Sequence, residues 1–168
     1  MKKVQRYFLE INKEEKKFKP VSIPKNFEIV LLNKRNFEIN KFFYKQIGAE
    51  HYWRDRLVWS DKEWTEYVKD DNLQTWIIKK DKDLVGFYEN KFHPEKEEFE
   101  LINMGILKEF RGLKFGSILL HHVIFQSFKL NAKRIWVHTC SLDHKNALKN
   151  YKARGFKIFK QEEINFVA

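Results

Sequence analysis

The sequence predicts a single-domain α/β fold whose sheet combines three consecutive antiparallel strands with a parallel crossover. Three observations carry this expectation: the length, the alternation of strand-like and helix-like segments, and a run of three strands followed by a helix–strand–helix–strand tail. At 168 residues the chain suits one domain and is long enough to bury about 70% of its unfolded surface. Hydrophobic residues make up 43% and aromatic residues 16%, which is too apolar for a disordered segment. No Pro/Gly/Ser-rich linker and no internal repeat interrupts it, so residues 1–168 are expected to form one unit.

Taken in order, apolar and polar residues partly alternate from Gln5 to Ile11 and from Phe27 to Asn33, as in half-buried strands. The charge-dense stretch from Asn12 to Lys19 between them reads as a solvated turn. Phe37, Ile39, Phe42, Phe43 and Ile47 follow helical spacing, with Gly48 as the expected stop. Ser60-Asp61-Lys62-Glu63 starts a second helix: the serine hydroxyl caps it while Glu63 reaches back to the cap residue's N–H. Leu73 to Lys80 and Asp83 to Asn90 read as a hairpin turning at Lys80-Asp81-Lys82, and a third strand runs from about Glu97 to Ile106. Phe115, Ile118, Leu119, His122, Val123 and Gln126 mark a helix that closes near Asn131, and Arg134 to Thr139 is β-rich. Asp143 is placed to cap a short helix through Ala153, Gly155 to take the left-handed conformation that ends it, and Phe156 to Lys160 to return as a strand. A helix at 115–130 between two strands implies a parallel crossover.

The formal charge is +10, from 33 Lys and Arg against 23 Asp and Glu. Its sign suits nucleic acid, a membrane surface or a polyanionic cofactor. The basic residues are mostly lysines spread among Asn, Ile and Phe, a mixture that genomic base composition alone produces. No recognition helix with clustered arginines and no RNA-stacking motif accompanies them, so nucleic acid is not the expected partner. Apolar runs such as Phe87-Tyr88 or Ile135 to Val137 fall far short of the ~20 residues of a membrane span. No apolar segment follows the basic start Met1-Lys2-Lys3, so a cytoplasmic protein without a membrane partner is expected. The single cysteine, Cys140, excludes an intrachain disulfide and fits a reducing compartment.

Two motifs carry chemistry. Arg111-Gly112-Leu113-Lys114-Phe115-Gly116-Ser117 lies between a strand and a helix, where backbone N–H groups and the helix's positive end can converge on a phosphate. Its spacing is neither that of a Walker loop nor that of the dinucleotide fingerprint. Ala147, Tyr151, Gly155 and Phe156 form the pattern Ala-x-x-x-Tyr-x-x-x-Gly-Phe, which sets Ala147 and Tyr151 one turn apart on one helix face. With these motifs the stretch Glu100 to Phe156 resembles the GNAT superfamily of acetyl-CoA-dependent N-acetyltransferases, whose phosphate loop reads Arg/Gln-x-x-Gly-x-Gly/Ala. Arg111 and Gly116 fall in register with that loop, and Lys114 occupies its first glycine's place. Where that place takes positive φ, lysine costs on the order of 1 kcal/mol. The segment Ile135 to His144 is also similar to an uncharacterised bacterial subgroup, a similarity that runs from about Arg6 to Phe159.

The resemblance implies a mixed, mostly antiparallel sheet with helices on both faces and a splayed pair of central strands, acetyl-CoA as cosubstrate with no metal, and transfer of an acetyl group to the primary amine of a small molecule or peptide. It places cofactor contacts at Arg111, Gly112, Leu113, Lys114, Phe115, Gly116 and Ser117, at Asn146, and at His144, where many relatives have asparagine. The backbone of Met104, Gly105 and Ile106 would take the pantetheine arm as an added strand. An amine of pKa near 10.4 must lose a proton before it attacks. Glu100 is the expected base, with Glu98, of the same strand parity, or a water chain as alternatives. Tyr151 is the expected acid toward the leaving thiolate. Moving a proton from a phenol near 10 to a thiolate near 8.5 is uphill by roughly 2 kcal/mol, inside the ~3–5 kcal/mol that a general acid contributes.

Trp53, Arg54, Asp55, Arg56 and Trp59 fall in the segment that helps form the family's acceptor pocket: the arginines for a carboxylate or phosphate, the tryptophans as walls. The alternative is that the tryptophans pack the helices while an Arg–Asp pair caps an end. Cys140 and His138, two apart on a strand with Asp143 and His144 following, raise a covalent route, although a lone strand-end cysteine is more often a small buried hydrophobe. His121 and His122 project about 100° apart on a helix and do not form a zinc pair. The competing functional class is a non-catalytic module binding CoA or nucleic acid through the basic surface. Dimers are frequent in the superfamily, and a homodimer is compatible with the sequence.

Overall fold

The computed structural model describes residues 2–13, 19–34 and 36–166. Among them seven strands form one sheet, β1 (Lys2–Asn12), β2 (Phe27–Leu31), β3 (Leu73–Lys80), β4 (Asp83–His93), β5 (Glu98–Ile106), β6 (Arg134–Cys140) and β7 (Lys157–Phe166), ordered β2-β3-β4-β5-β6-β1-β7. Neighbours are antiparallel except β5 and β6, which are parallel and joined through a helix, as the crossover predicts. The helices are α1 (Phe37–His51), α2 (Asp61–Lys69), α3 (Phe115–Lys129) and α4 (Ala147–Ala153). Most of the turn expected from Asn12 to Lys19 lies outside the described residues.

Helices cover both faces of the sheet because each presents one apolar stripe. On one face α3 buries Leu119, Leu120, Val123 and Phe128 against Leu9, Ile11, Leu101, Ile135 and Val137. On the other, Phe43 and Ile47 of α1 meet Ile77 and Phe87. The Phe43 and Phe87 rings stack with centroids 4.9 Å apart, worth about 0.5–1.5 kcal/mol beyond the area they bury.

Several ends differ from expectation for local reasons. Helix α1 runs through Gly48 to His51 and is closed by Tyr52, left-handed at φ 60, whose N–H donates to the Gly48 carbonyl. Gly48 serves close approach instead: a Cβ there would lie 2.6 Å from Trp53 Cβ. The Ser60/Glu63 capping box is present in both directions. Helix α4 begins after Asn146, not at Asp143, and Gly155 (φ 104) ends it. Gly155 N–H donates to the Lys152 carbonyl and Phe156 N–H to that of Tyr151, the paired closure that a left-handed glycine permits.

The feature that opens the molecule is in β5. Its pairing to β4 passes from Asn90↔Leu101 to Glu89↔Asn103, so Ile102 is an extra residue, a bulge that bends the strand. Pairing between β5 and β6 stops at Leu101↔Val137. From there the two parallel strands separate.

Candidate active site

The separation of β5 from β6 opens a cleft of about 1040 Å³, at the upper end of the range for small-molecule sites. One wall is residues 101–106 of β5, the other 137–140 of β6, and α4 and the loop before α3 close one end. Among the described residues, β5 has no sheet partner on its β6 side from Ile102 onward. Met104, Gly105 and Ile106 therefore offer backbone groups there to an added strand.

The loop 111–117 turns as its glycine spacing suggests. Gly112 has φ 82 and Lys114, the N-cap of α3, is left-handed at φ 67, with no side-chain cap bond to the helix. The first-turn N–H groups of α3 have no partner within the helix. A Cβ at Gly116 would meet only Asn150 Nδ2, at 3.8 Å, so the surface over this helix start is open. Arg111, Gly112, Lys114, Phe115, Gly116 and Ser117 line the cleft; exposed Leu113 does not. Ser117 Oγ accepts from Arg154 at 3.1 Å, tying the helix start to the end of α4. Lys145 and Lys149 add positive charge at the same end. Unbonded N–H groups, an open glycine and four cations fit a diphosphate. Arg111 is engaged meanwhile: its Nε donates to the Ile106 carbonyl and its guanidinium pairs with Glu50 of α1, holding that carboxyl below its usual range.

Tyr151 lines the cleft one turn after Ala147, which lines it too. Its ring packs on Phe156 at 5.7 Å. Burial, then the charge of Asp143, pushes its phenol above the ordinary range, so it keeps its proton at neutral pH and transfer to a leaving thiolate is more uphill than from an ordinary phenol. The Asp143 carboxylate accepts from the Cys140 N–H (3.0 Å), the Thr139 hydroxyl and the Trp53 indole (3.3 Å). Burial and the same charge raise the Cys140 thiol, which disfavours the thiolate that a covalent route requires. His144 and Asn146 reach the cleft. His144 Nδ1 accepts the Asn146 N–H at 3.1 Å, and its ring lies 5.8 Å from that of His51. Burial lowers the pKa of both histidines.

The expected base is not brought to this cleft. Glu100 precedes the bulge, where β5 and β6 are still paired, and its carboxylate accepts from His93 Nε2–H at 3.0 Å. Glu98 pairs with Arg134 at 3.1 Å. The extra residue breaks the strand parity, so Asn103 takes the position beside Glu89. Among the described residues, the carboxylates lining the cleft are Asp55 and Asp143.

The acceptor segment divides in two. Trp53 and Asp55 line the cleft. Arg54 instead lies over the rings of Tyr52 and Phe166, and Trp59 packs on Trp64 at 4.9 Å. Arg56 reaches the lining, but its guanidinium is 5% exposed, paired with Glu89 at 3.1 Å and boxed by Tyr44, Trp59, Trp64 and Tyr67. Arg56 is thus committed to Glu89, and Arg54 lies outside the cleft lining. Sequence reasoning missed the long-range contributors Tyr44, Arg6 and Phe166; a helix face and two terminal strands carry no local signal of a shared cleft. Asp143 was read as a helix cap and as a neighbour of Cys140 and His138, not as the carboxylate beside Tyr151. No group of three or more His, Cys, Asp or Glu suited to a metal occurs among the described residues.

No curated protein matches the chain. Among solved structures, a GCN5-related N-acetyltransferase from Sphaerobacter thermophilus superposes with a TM-score of 0.73 at 10% identity over 94% of this chain, which spans only 49% of that one. An aminoglycoside acetyltransferase from an uncultured soil metagenomic sample gives 0.69 at 11% identity, covering 88% of this chain and 98% of that one. The ribosomal-protein-S18-alanine N-acetyltransferase of Escherichia coli gives 0.63 at 16%, covering 78% and 77%. These identities establish a shared fold. The Acetyltransferase (GNAT) family matches residues 35–156, most of the sequence and all of the loop, the bulged strand and α4, and the chain therefore belongs to that family.

Proposed function

We propose that the protein transfers an acetyl group from acetyl-CoA to a primary amine in the β5/β6 cleft. The observation that carries this reading is one cleft joining the open, uncapped start of α3 to Tyr151 and Asp143. Acetyl-CoA would supply the activated thioester: the C–S bond breaks and a C–N bond forms. The loop 111–117 with Lys145 and Lys149 holds the diphosphate, and the unpaired edge of β5 holds the arm. Tyr151 holds a proton at its phenol oxygen for the departing sulfur. Asp143, whose charge reaches Tyr151, orients the incoming ammonium and receives its proton, directly or through water, in the role first sought at Glu100.

The neighbours named for aminoglycosides and for a ribosomal protein support amine acceptors of either size. The test is free-thiol release from acetyl-CoA across a panel of amines. Tyr151→Phe is expected to lower kcat by about 10²–10³, the contribution of a general acid, with acetyl-CoA affinity nearly unchanged. Equal turnover in both forms would remove Tyr151 from the chemistry.

A further inference from the structure

We propose that Asp55 determines specificity by selecting acceptors that carry a second positive charge, its carboxylate holding the distal cation while the reacting amine lies at Asp143; this rests on the acyl-transfer reading above. The argument is an accounting of charge on the half of the cleft away from the loop. Both arginines of the lining there are paired, Arg6 with Glu162 at 3.2 Å and Arg56 with Glu89 at 3.1 Å, while Arg54 lies outside the lining over the rings of Tyr52 and Phe166. The two carboxylates have only neutral donors. Asp55 Oδ1 accepts the Tyr44 hydroxyl, and no hydrogen bond or ion pair reaches Oδ2 among the described residues. Asp143 is held by Trp53, Thr139 and Cys140.

Burial lowers the pKa of His51, His138 and His144, which also line the cleft, so these rings add little positive charge at neutral pH. The space between the carboxylates is aromatic. Trp53 touches Tyr44, which holds Asp55, at 5.6 Å and donates to Asp143. Ring faces attract cations, so an alkyl or sugar chain with an ammonium at each end has a partner for both ends and a compatible wall between. A carboxylate-bearing amine would meet the like charge of Asp55.

The experiment compares diaminopentane with aminopentanol, matched in length, by thiol release and by calorimetric binding to the CoA-saturated enzyme. The expected kcat/KM ratio is about 10-fold or more in favour of the diamine, the effect of one charge-assisted hydrogen bond, expressed mainly in KM. Asp55→Asn is expected to bring the ratio to about 1, and Asp55→Glu to keep a preference, which a merely structural role would not do. Thiol release with equal kcat/KM for the two amines, or a ratio that survives Asp55→Asn, overturns the cation assignment and leaves acyl transfer standing. Asn-sensitive diamine binding with no thiol release supports the cation assignment and overturns acyl transfer.

Discussion

Glu89 is a fully buried carboxylate whose partners come from four parts of the chain. Asn40 of α1, Arg56 of the following loop, Tyr67 of α2 and Asn103 of β5 all donate to it, at 2.8 to 3.1 Å. The network ties the acceptor-side loop to the bulge that opens the cleft. Glu89→Gln keeps the shape but leaves the Arg56 guanidinium buried without a counter-ion, and a broken buried pair costs about 3–5 kcal/mol. Urea unfolding should show that loss, and a change within 0.5 kcal/mol would contradict the network's importance. Arg56 also shows what the sequence leaves hidden. Its neighbours Arg54 and Asp55 suggest a surface cluster, and nothing local reveals that a glutamate 33 positions away claims it.

At the scale of elements, α3 combines the loop's helix start with a buried titratable pair. His122 Nδ1 and the Tyr88 hydroxyl lie 2.7 Å apart, and burial lowers the histidine to about 4. The phenol, itself raised by burial, is then the donor. The folded pKa lies below the unfolded one near 6.5, so the unfolded chain binds more protons between them and stability falls as pH drops through that window. The contribution at stake is roughly 3 kcal/mol. Denaturant titrations at pH 7 and pH 4 should show wild type losing about that much more than His122→Asn; parallel losses would contradict it. Elements of this kind were legible because their signals are local: the Ser60 cap, the glycines of the 111–117 loop, the Ala147–Tyr151 spacing. The bulge at Ile102 was not read, although the alternation changes phase at Leu101-Ile102, and the glutamates expected as bases lie before it, where β5 and β6 are still paired.

Across the whole molecule, the cleft lining combines four cations, Arg111, Lys114, Lys145 and Lys149, with two carboxylates, Asp55 and Asp143. The net charge of +10 thus includes a local field suited to a polyanionic donor. The order of the sheet adds a feature that periodicity does not foretell: β1 lies between β6 and β7, which brings Val4, Arg6, Ile164 and Phe166 to the cleft from both ends of the sequence. Long-range pairing of this sort is decided by burial across the sheet. The central claim is that the loop before α3 clasps a diphosphate and so sets a thioester beside Tyr151. Calorimetric titration of CoA into wild type and Gly116→Trp, with pantetheine as the ligand lacking the diphosphate, tests it most directly. Wild type should bind CoA at least ten-fold more tightly than pantetheine, an advantage that the indole at position 116 abolishes; CoA affinity equal in the two proteins would contradict it.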